Sequence, residues 1–461
     1  MFETPVYFER RTRLRSLVAG GLVLLPGNED SSMSYKANVY HFRQDSTFLY
    51  FIGLDQPGLV AVLDLDSGAE ILFGDDISMD DLVWTGPVES LSSRAARTGI
   101  RDVRPLKALE PLLAGATSKG RPVHFLPPYR PEHTLQLHHW LGLPIGAIST
   151  SVSIDLIQAV VALRSIKSAA EVGEIEKGVN TTNAMQLAAA RGAKAGMTEA
   201  QLAGVLHGIA ISAGGNLAFP TILTVNGQIL HNHYSDHLLE KGRLVICDCG
   251  AEAPSHYGGD LTRTFPVDKT FTAIQKEAYQ VVLDAQEAAV RALRPGVLYR
   301  DVHLLACAKL VEGLQAMGLM KGDVSEAVAA GAHTLFFQCG LGHMLGLDTH
   351  DMENLGEPYV GYTASLIKST EFGLKSLRLG RAMEDGFVVT VEPGLYFIPE
   401  LMDSWAAEKK NEQFICYDKL QPFRTFGGIR IEEDFLITEG GSRLIGDPIP
   451  KDIAGVEALR G

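Results

Sequence analysis

The stretch Leu244–Val267, LVICDCGAEAPSHYGGDLTRTFPV, decides how the rest of the chain is read. Its apolar run Leu244-Val245-Ile246-Cys247 ends on Asp248 and the turn residue Gly250. A second turn, Gly258-Gly259, delivers Asp260, and Leu261–Val267 runs out again. The pattern predicts two adjacent strands, each presenting a carboxylate at the same end. Fixed carboxylates beside apolar strands are costly unless a lysine, an arginine or a divalent metal stands between them.

Three further segments pose the same question. The glycine-rich run Cys339–Asp351 carries His343 and His350. Val388–Tyr396 is an apolar strand that stops on Glu392 and the turn Pro393-Gly394. In Gly427–Asp434, alternation puts Arg430 and Glu432 on one face and Ile429 and Ile431 on the other. Arg430 alone cannot neutralise Asp248, Asp260, Glu392 and Glu432. With His343 added, the set is mostly oxygen with one imidazole, which suits two divalent ions of intermediate hardness. Mn²⁺ fits first, with Co²⁺, Zn²⁺ or Fe²⁺ as competitors. On the residues alone, a buried charge network is the alternative.

A chain of 461 residues predicts two domains. A net charge of −14 argues against nucleic acid or an anionic membrane as partner. No segment approaches the ~20 apolar residues of a membrane span. Glu3 and Glu9, with no small-residue cleavage site, make the opening a helix followed by a strand and not a signal peptide. Five cysteines, mostly in apolar segments, read as free thiols in a reducing cytoplasm. Cys247-x-Cys249 lacks the second pair of a zinc motif.

Residues 1–160 predict an α/β domain, with strand-like pieces at Leu17–Leu25, Phe48–Ile52, Leu59–Leu65, Glu70–Phe73, Val103 and Val123–Phe125. His133, His138 and His139 are read as solvated or partner-facing. Helix Ile154–Leu163 is the connection to an α+β domain at 161–461. There Ser168-x-x-Glu171, Thr198-x-x-Gln201 and Thr272-x-x-Gln275 are capping boxes, each opening a helix. Asn354–Arg381 and Pro399–Phe423 read as surface excursions or subunit contacts.

Taken together, these motifs closely resemble the aminopeptidase P/prolidase branch of the pita-bread metallopeptidases, over nearly the whole chain. Arg43-Gln44-Asp45-Ser46-x-Phe48-x-Tyr50-Phe51-x-Gly53 is similar to the signature of the family's creatinase-like N-terminal domain. Asp248-x-Gly250-x-Glu252, Gly259–Phe265, Gly342-His343 through Asp351, Thr390–Gly394 and Gly428–Glu432 match its five metal-ligand motifs in order. The resemblance implies an α/β N-terminal domain plus an α+β pita-bread catalytic domain. It implies a metal-dependent aminopeptidase P that hydrolyses the N-terminal Xaa–Pro bond of peptides by a metal-bridging hydroxide. A prolidase restricted to Xaa–Pro dipeptides and a catalytically weak peptide-binding protein are the alternatives. Asp248 is implied as ligand of one metal, His343 and Glu392 of the other, and Asp260 and Glu432 of both. Glu392 is implied to shuttle a proton, His231 and His350 to contact substrate, and Arg430 to orient Glu432. A homodimer or homotetramer is implied; Trp84 is read as ordinary packing, with a reach into a neighbouring subunit's cleft as the alternative.

Two departures stand out. The Asp248–Asp260 turn is one residue longer than usual in the family, an extra length that Ala253-Pro254-Ser255-His256 can absorb. The family's substrate-binding histidine four positions before His343 is Cys339 here. A thiol is a weaker donor and cannot be cationic at neutral pH.

Overall fold

The helix Thr4–Leu17 and the strand Leu22–Pro26 open the N-terminal unit of the computed structural model, which describes residues 2–461. This unit runs to Arg164 and takes back Met352–Tyr359; Ser165–Asp351 and Val360–Gly461 form the second. The N-terminal sheet has five strands, in the order Asp102–Arg104, Glu70–Phe73, Val60–Asp64, Leu22–Pro26 and Val123–His124. The inner pairings are antiparallel and both edge pairings parallel. Alternate residues Leu22, Leu24, Val60, Val62, Ile71 and Phe73 turn to one face and pack on Leu109, Leu113 and Leu137.

Three readings fail in this unit. Phe48–Ile52 lies in the helix Ser46–Ile52, not in a strand. Asp45 caps that helix by accepting from Phe48 N, and Gly53 ends it at φ +73°. All seven residues are buried, and a helix buried all round has the same unbroken apolar run as a core strand. His133 is buried because its ring nitrogen Nε2 donates to the Gly27 carbonyl at 3.0 Å. Trp84, on the helix Met79–Thr85, is 87% exposed, so no packing within the chain accounts for it.

In the second unit, Leu244–Cys249 is the centre strand of a three-stranded antiparallel sheet, flanked by Leu261–Pro266 and Ile222–Thr224. Asp248 stands opposite Thr262, as adjacent strands require. A second antiparallel sheet contains Val388–Val391, Glu433–Thr438 and Gly441–Leu444, and Gly394–Tyr396 pairs with Gly428–Arg430. Single bridges, Thr262 to Glu432 and Met344 to Val389, tie these pieces together. Four segments far apart in sequence therefore converge at strand ends.

All three capping boxes form, opening the helices Ala169–Gly192, Glu199–Ser212 and Ala273–Ala292. Their apolar faces, including Leu202, Leu206, Ala278, Val281 and Val282, enter one core with Val245, Ile246 and Cys247. Each fully buried Leu or Val there stabilises the fold by about 1.5–3 kcal/mol relative to exposure. In the Asp248–Asp260 turn His256 sits at φ +67° with its ring 2.9 Å from Glu252. The stretches Asn354–Arg381 and Pro399–Phe423 are less superficial than their composition suggests. Leu377, Leu379, Met402 and Trp405 are buried, because the polar residues of these segments face outward between apolar anchors.

Candidate metal centre

The converging strand ends surround a cavity of about 370 Å³. Asp248, Asp260, His343, Glu392, Glu432 and Arg430 all line it, with His231, His350 and Cys339. These nine, the candidate ligand, catalytic and substrate-binding residues named from the sequence, thus line one space. One donor atom each from Asp260, His343 and Glu432 lies within 4.8 Å of the other two. His343 Nε2 is 3.4 Å from Asp260 Oδ2 and 3.8 Å from Glu392 Oε1.

The backbone around His343 fixes which nitrogen faces the acids. Its Nδ1 lies 2.9 Å from the Met344 carbonyl, which can only accept, so Nδ1 carries the hydrogen. In the neutral ring the lone pair is then on Nε2, toward Asp260 and Glu392. Thr390 holds the segment in place. It accepts from His343 N through Oγ1 at 3.2 Å, and its own N donates to the His343 carbonyl at 3.0 Å. A Cβ at Gly342 would fall 2.3 Å from both the Thr390 carbonyl and the Tyr299 hydroxyl, so this approach requires glycine.

Among the described residues Arg430 makes no direct hydrogen bond to Glu432 and reaches it only through Thr262. Its guanidinium donates to Asp248 Oδ2, to Thr262 Oγ1 at 3.1 Å and to Tyr396 Oη at 2.8 Å. Thr262 Oγ1 in turn donates to Glu432 Oε2 at 2.7 Å. The strand Gly428–Arg430 ends before Glu432, which pairs with the Thr262 strand instead. That shift hands Glu432 to a hydroxyl and leaves the arginine to Asp248.

The acids are poorly compensated. Burial, and then the charge on Asp248, pushes the Asp260 carboxyl well above its ordinary range. Burial and the neighbouring Asp260 do the same to Glu432. Glu392 is pushed up to about 7, burial again coming first and His343 and Arg430 opposing it. Oδ1 of Asp248 and Oδ1 of Asp260 are buried without a hydrogen-bond partner among the described residues. Carboxylate oxygens orphaned beside an imidazole lone pair form a donor set that divalent ions would complete. The residues fit such ions better than they fit a closed charge network.

His231 lies at the exposed edge of the cavity, its pKa lowered first by desolvation and then by Arg430. The His350 ring meets the His343 ring edge-on at 4.3 Å. Burial pushes the Cys339 thiol up to about 12, so it is neutral at physiological pH, with Sγ 4.0 Å from Tyr396 Oη. Near His231, His237 and His233 are both exposed, and His233 also lines the cavity.

Several residues at the site were not visible in the sequence. Asp434, fully buried, accepts from Asp260 N at 3.0 Å and has its pKa raised well above normal, first by burial. Thr262 and Tyr396 anchor the two ends of Arg430. Ser376 and Arg378 reach the cavity from a segment read as a surface excursion. Tyr396, next to the Glu392 turn, was the one with a usable signal.

Residues 174–439 match the model of metallopeptidase family M24, and residues 7–124 match the aminopeptidase P N-terminal domain. The chain is 29% identical to the human Xaa-Pro dipeptidase, over 98% of this chain and 90% of that protein. It is also 29% identical to a probable Xaa-Pro aminopeptidase of Phaeosphaeria nodorum, over 91% of this chain and 87% of that protein. Among solved structures it superposes on zinc-substituted Escherichia coli aminopeptidase P in complex with product at a TM-score of 0.81, with 28% identity. That match covers 100% of this chain and 98% of the other. Proline aminopeptidase P II from Yersinia pestis gives the same score at 26% identity, covering 100% and 99% of the two chains. The chain belongs to metallopeptidase family M24, in its aminopeptidase P and prolidase branch, and is by that membership a hydrolase.

Proposed function

We propose that the chain, through a catalytic domain at residues 161–461, is a metal-dependent aminopeptidase P that removes the first residue from peptides with proline in second place. One observation carries the reading: Asp248, Asp260, Glu392, Glu432 and His343 line a single cavity, with orphaned carboxylate oxygens on both aspartates and Arg430 paired to Asp248. Asp248 would hold one divalent ion, His343 and Glu392 a second, and Asp260 and Glu432 both; Mn²⁺ suits this mostly oxygen set. Such a pair, when bound, supplies an activated water and a Lewis acid for the scissile carbonyl.

The chain's own residues do the rest. Arg430 holds one oxygen of Asp248, and Thr262 one oxygen of Glu432, so each acid keeps one oxygen for the cavity. Glu392, side chain 20% accessible and beside His343, is the carboxyl that can carry a proton from the attacking water to the leaving proline nitrogen. Its raised pKa describes the acids without their cations, and it drops as positive charge arrives. His231 and His350 border the space where the peptide would lie. The leaving imide has no N–H, so recognition falls to groups around the ring and the carbonyl, Cys339 among them.

Five unpaired cysteines support a reducing, cytoplasmic setting. Exposed Met79, Val83 and Trp84 on one helix support a homodimer or homotetramer. The likeness to the human Xaa-Pro dipeptidase over 98% of the chain favours the second reading, a prolidase. Chelator-stripped protein given back Mn²⁺ is expected to cleave an Xaa–Pro–Pro tripeptide after its first residue. Cleavage of Ala-Pro alone would instead make the protein a prolidase, and cleavage of neither a peptide-binding member.

A further inference from the structure

The helix Tyr299–Ala316 carries His303 and Cys307 one turn apart, hence on one face. Against that face stands His333, from the short turn Ala332–Leu335. All three are buried, with relative exposures of 1%, 0% and 3%. One donor atom from each lies within 4.8 Å of the other two, and His303 Nε2 is 3.4 Å from Cys307 Sγ. The Nδ1 atoms of His303 and of His333 are both buried without a hydrogen-bond partner among the described residues. Buried polar atoms are nearly always partnered, and two such orphans in one cluster are hard to explain as packing alone. None of the three lines the cavity that holds the carboxylates.

We propose that His303, Cys307 and His333 form a second metal site, distinct from the carboxylate centre, that takes a single zinc-class ion. Two imidazoles and a thiolate are borderline-soft ligands, which prefer Zn²⁺ to the oxygen-seeking Mn²⁺. Burial lowers the His303 pKa to about 3 and that of His333 to about 4, so both rings are neutral and keep a lone pair at physiological pH. Burial raises the Cys307 thiol, so loading exchanges its proton for the ion: the S–H bond breaks, the S–Zn bond forms and one proton leaves to solvent. The site clamps the helix to the chain just before the cavity wall. The His303 ring lies 5.6 Å from that of Phe337.

Cobalt substitution of the full chain tests the site separately from peptidase activity. The carboxylate ligands contain no sulfur, so a sulfur-to-cobalt charge-transfer band in the near ultraviolet reports on cysteine ligation alone. The band is expected in the wild type, in Cys339→Ala and in His343→Ala, and lost in Cys307→Ser. Zinc affinity in His333→Ala is expected to fall at least about tenfold, since even partners outside the ligand shell are worth that much. A cobalt-loaded wild type without the band, or a band that survives Cys307→Ser, overturns the proposal. Should Cys307→Ser fail to fold, His343→Ala decides: its melting temperature must still rise with Zn²⁺, and no rise overturns the site.

Discussion

Glu432 and Glu433 are adjacent in the chain and both buried, yet their carboxyls are pushed in opposite directions. Glu433 accepts from Arg263 at 2.7 Å, from Lys451 at 2.6 Å and from Gln286 at 3.2 Å. Although burial is the largest influence on it, those cations bring its pKa below the ordinary value. Glu432 has the Thr262 hydroxyl and distant Arg430 against three other acids, and its pKa goes well up. Burial is common to both; the supply of cations is not. One cluster is finished by the chain itself, and the other has a deficit of positive charge that faces a cavity.

Removing a carboxylate from the unfinished cluster should have the largest effect on activity and the least on the metal-free fold. Asp260→Asn is expected to cut kcat/KM about 10³-fold, the several kcal/mol that metal-assisted charge stabilisation contributes. Its melting temperature in chelator should hold or rise, because a repelling charge has gone; a large drop would put the two clusters in the same class. In the finished cluster the order reverses. Arg263→Ala should destabilise the protein by about 3 kcal/mol in urea unfolding, because it strips a buried carboxylate of one partner. A loss near zero would show that Lys451 alone satisfies Glu433.

The contrast also has a pH signature. For Glu392 the folded pKa of about 7 lies above the ordinary value of 4.5, so the folded state binds the extra proton between them. That stabilisation is complete at low pH and is lost as pH rises through this window. In chelator, Glu392→Gln should therefore gain on the wild type as pH rises from 4.5 to 7, by at most about 1.4 kcal/mol per pH unit. Parallel profiles would remove the argument for cation deficit. His303 and His333, with depressed pKa values, tilt both proteins the other way and cancel in the difference. The smallest effect is expected from Cys339→His, a change in kcat/KM on Xaa–Pro peptides of about fivefold, worth one added hydrogen bond. Identical kinetics would mean that the thiol already suffices.

The sequence was most informative where chemistry and local pattern coincide. Asp248 and Asp260 end apolar runs at turns, so a strand reading places them without tertiary information. The capping boxes at Ser168, Thr198 and Thr272 are decided within four residues and formed as expected. What escaped depends on contacts across the chain. Asp434 is one acid among many until its carboxylate is seen beneath Asp260 N. The exchange of partners between Arg430 and Glu432 follows from a strand break and the Thr262 bridge. Phe48–Ile52 failed for lack of a polar face, since burial on all sides erases the period that separates helix from strand.

The hydrogen bond from Arg430 to Asp248 bears on the order of assembly. A site made only of free carboxylates could not close without its ions, and folding would have to wait for them, as it does in small zinc-folded domains. Here one acid has a permanent counter-ion supplied by the chain, and the raised pKa values of Asp260, Glu392 and Glu432 let protons quiet the others. The polypeptide can complete its fold first and take up its ions afterwards through the open cavity, exchanging protons for metal as the last step of maturation.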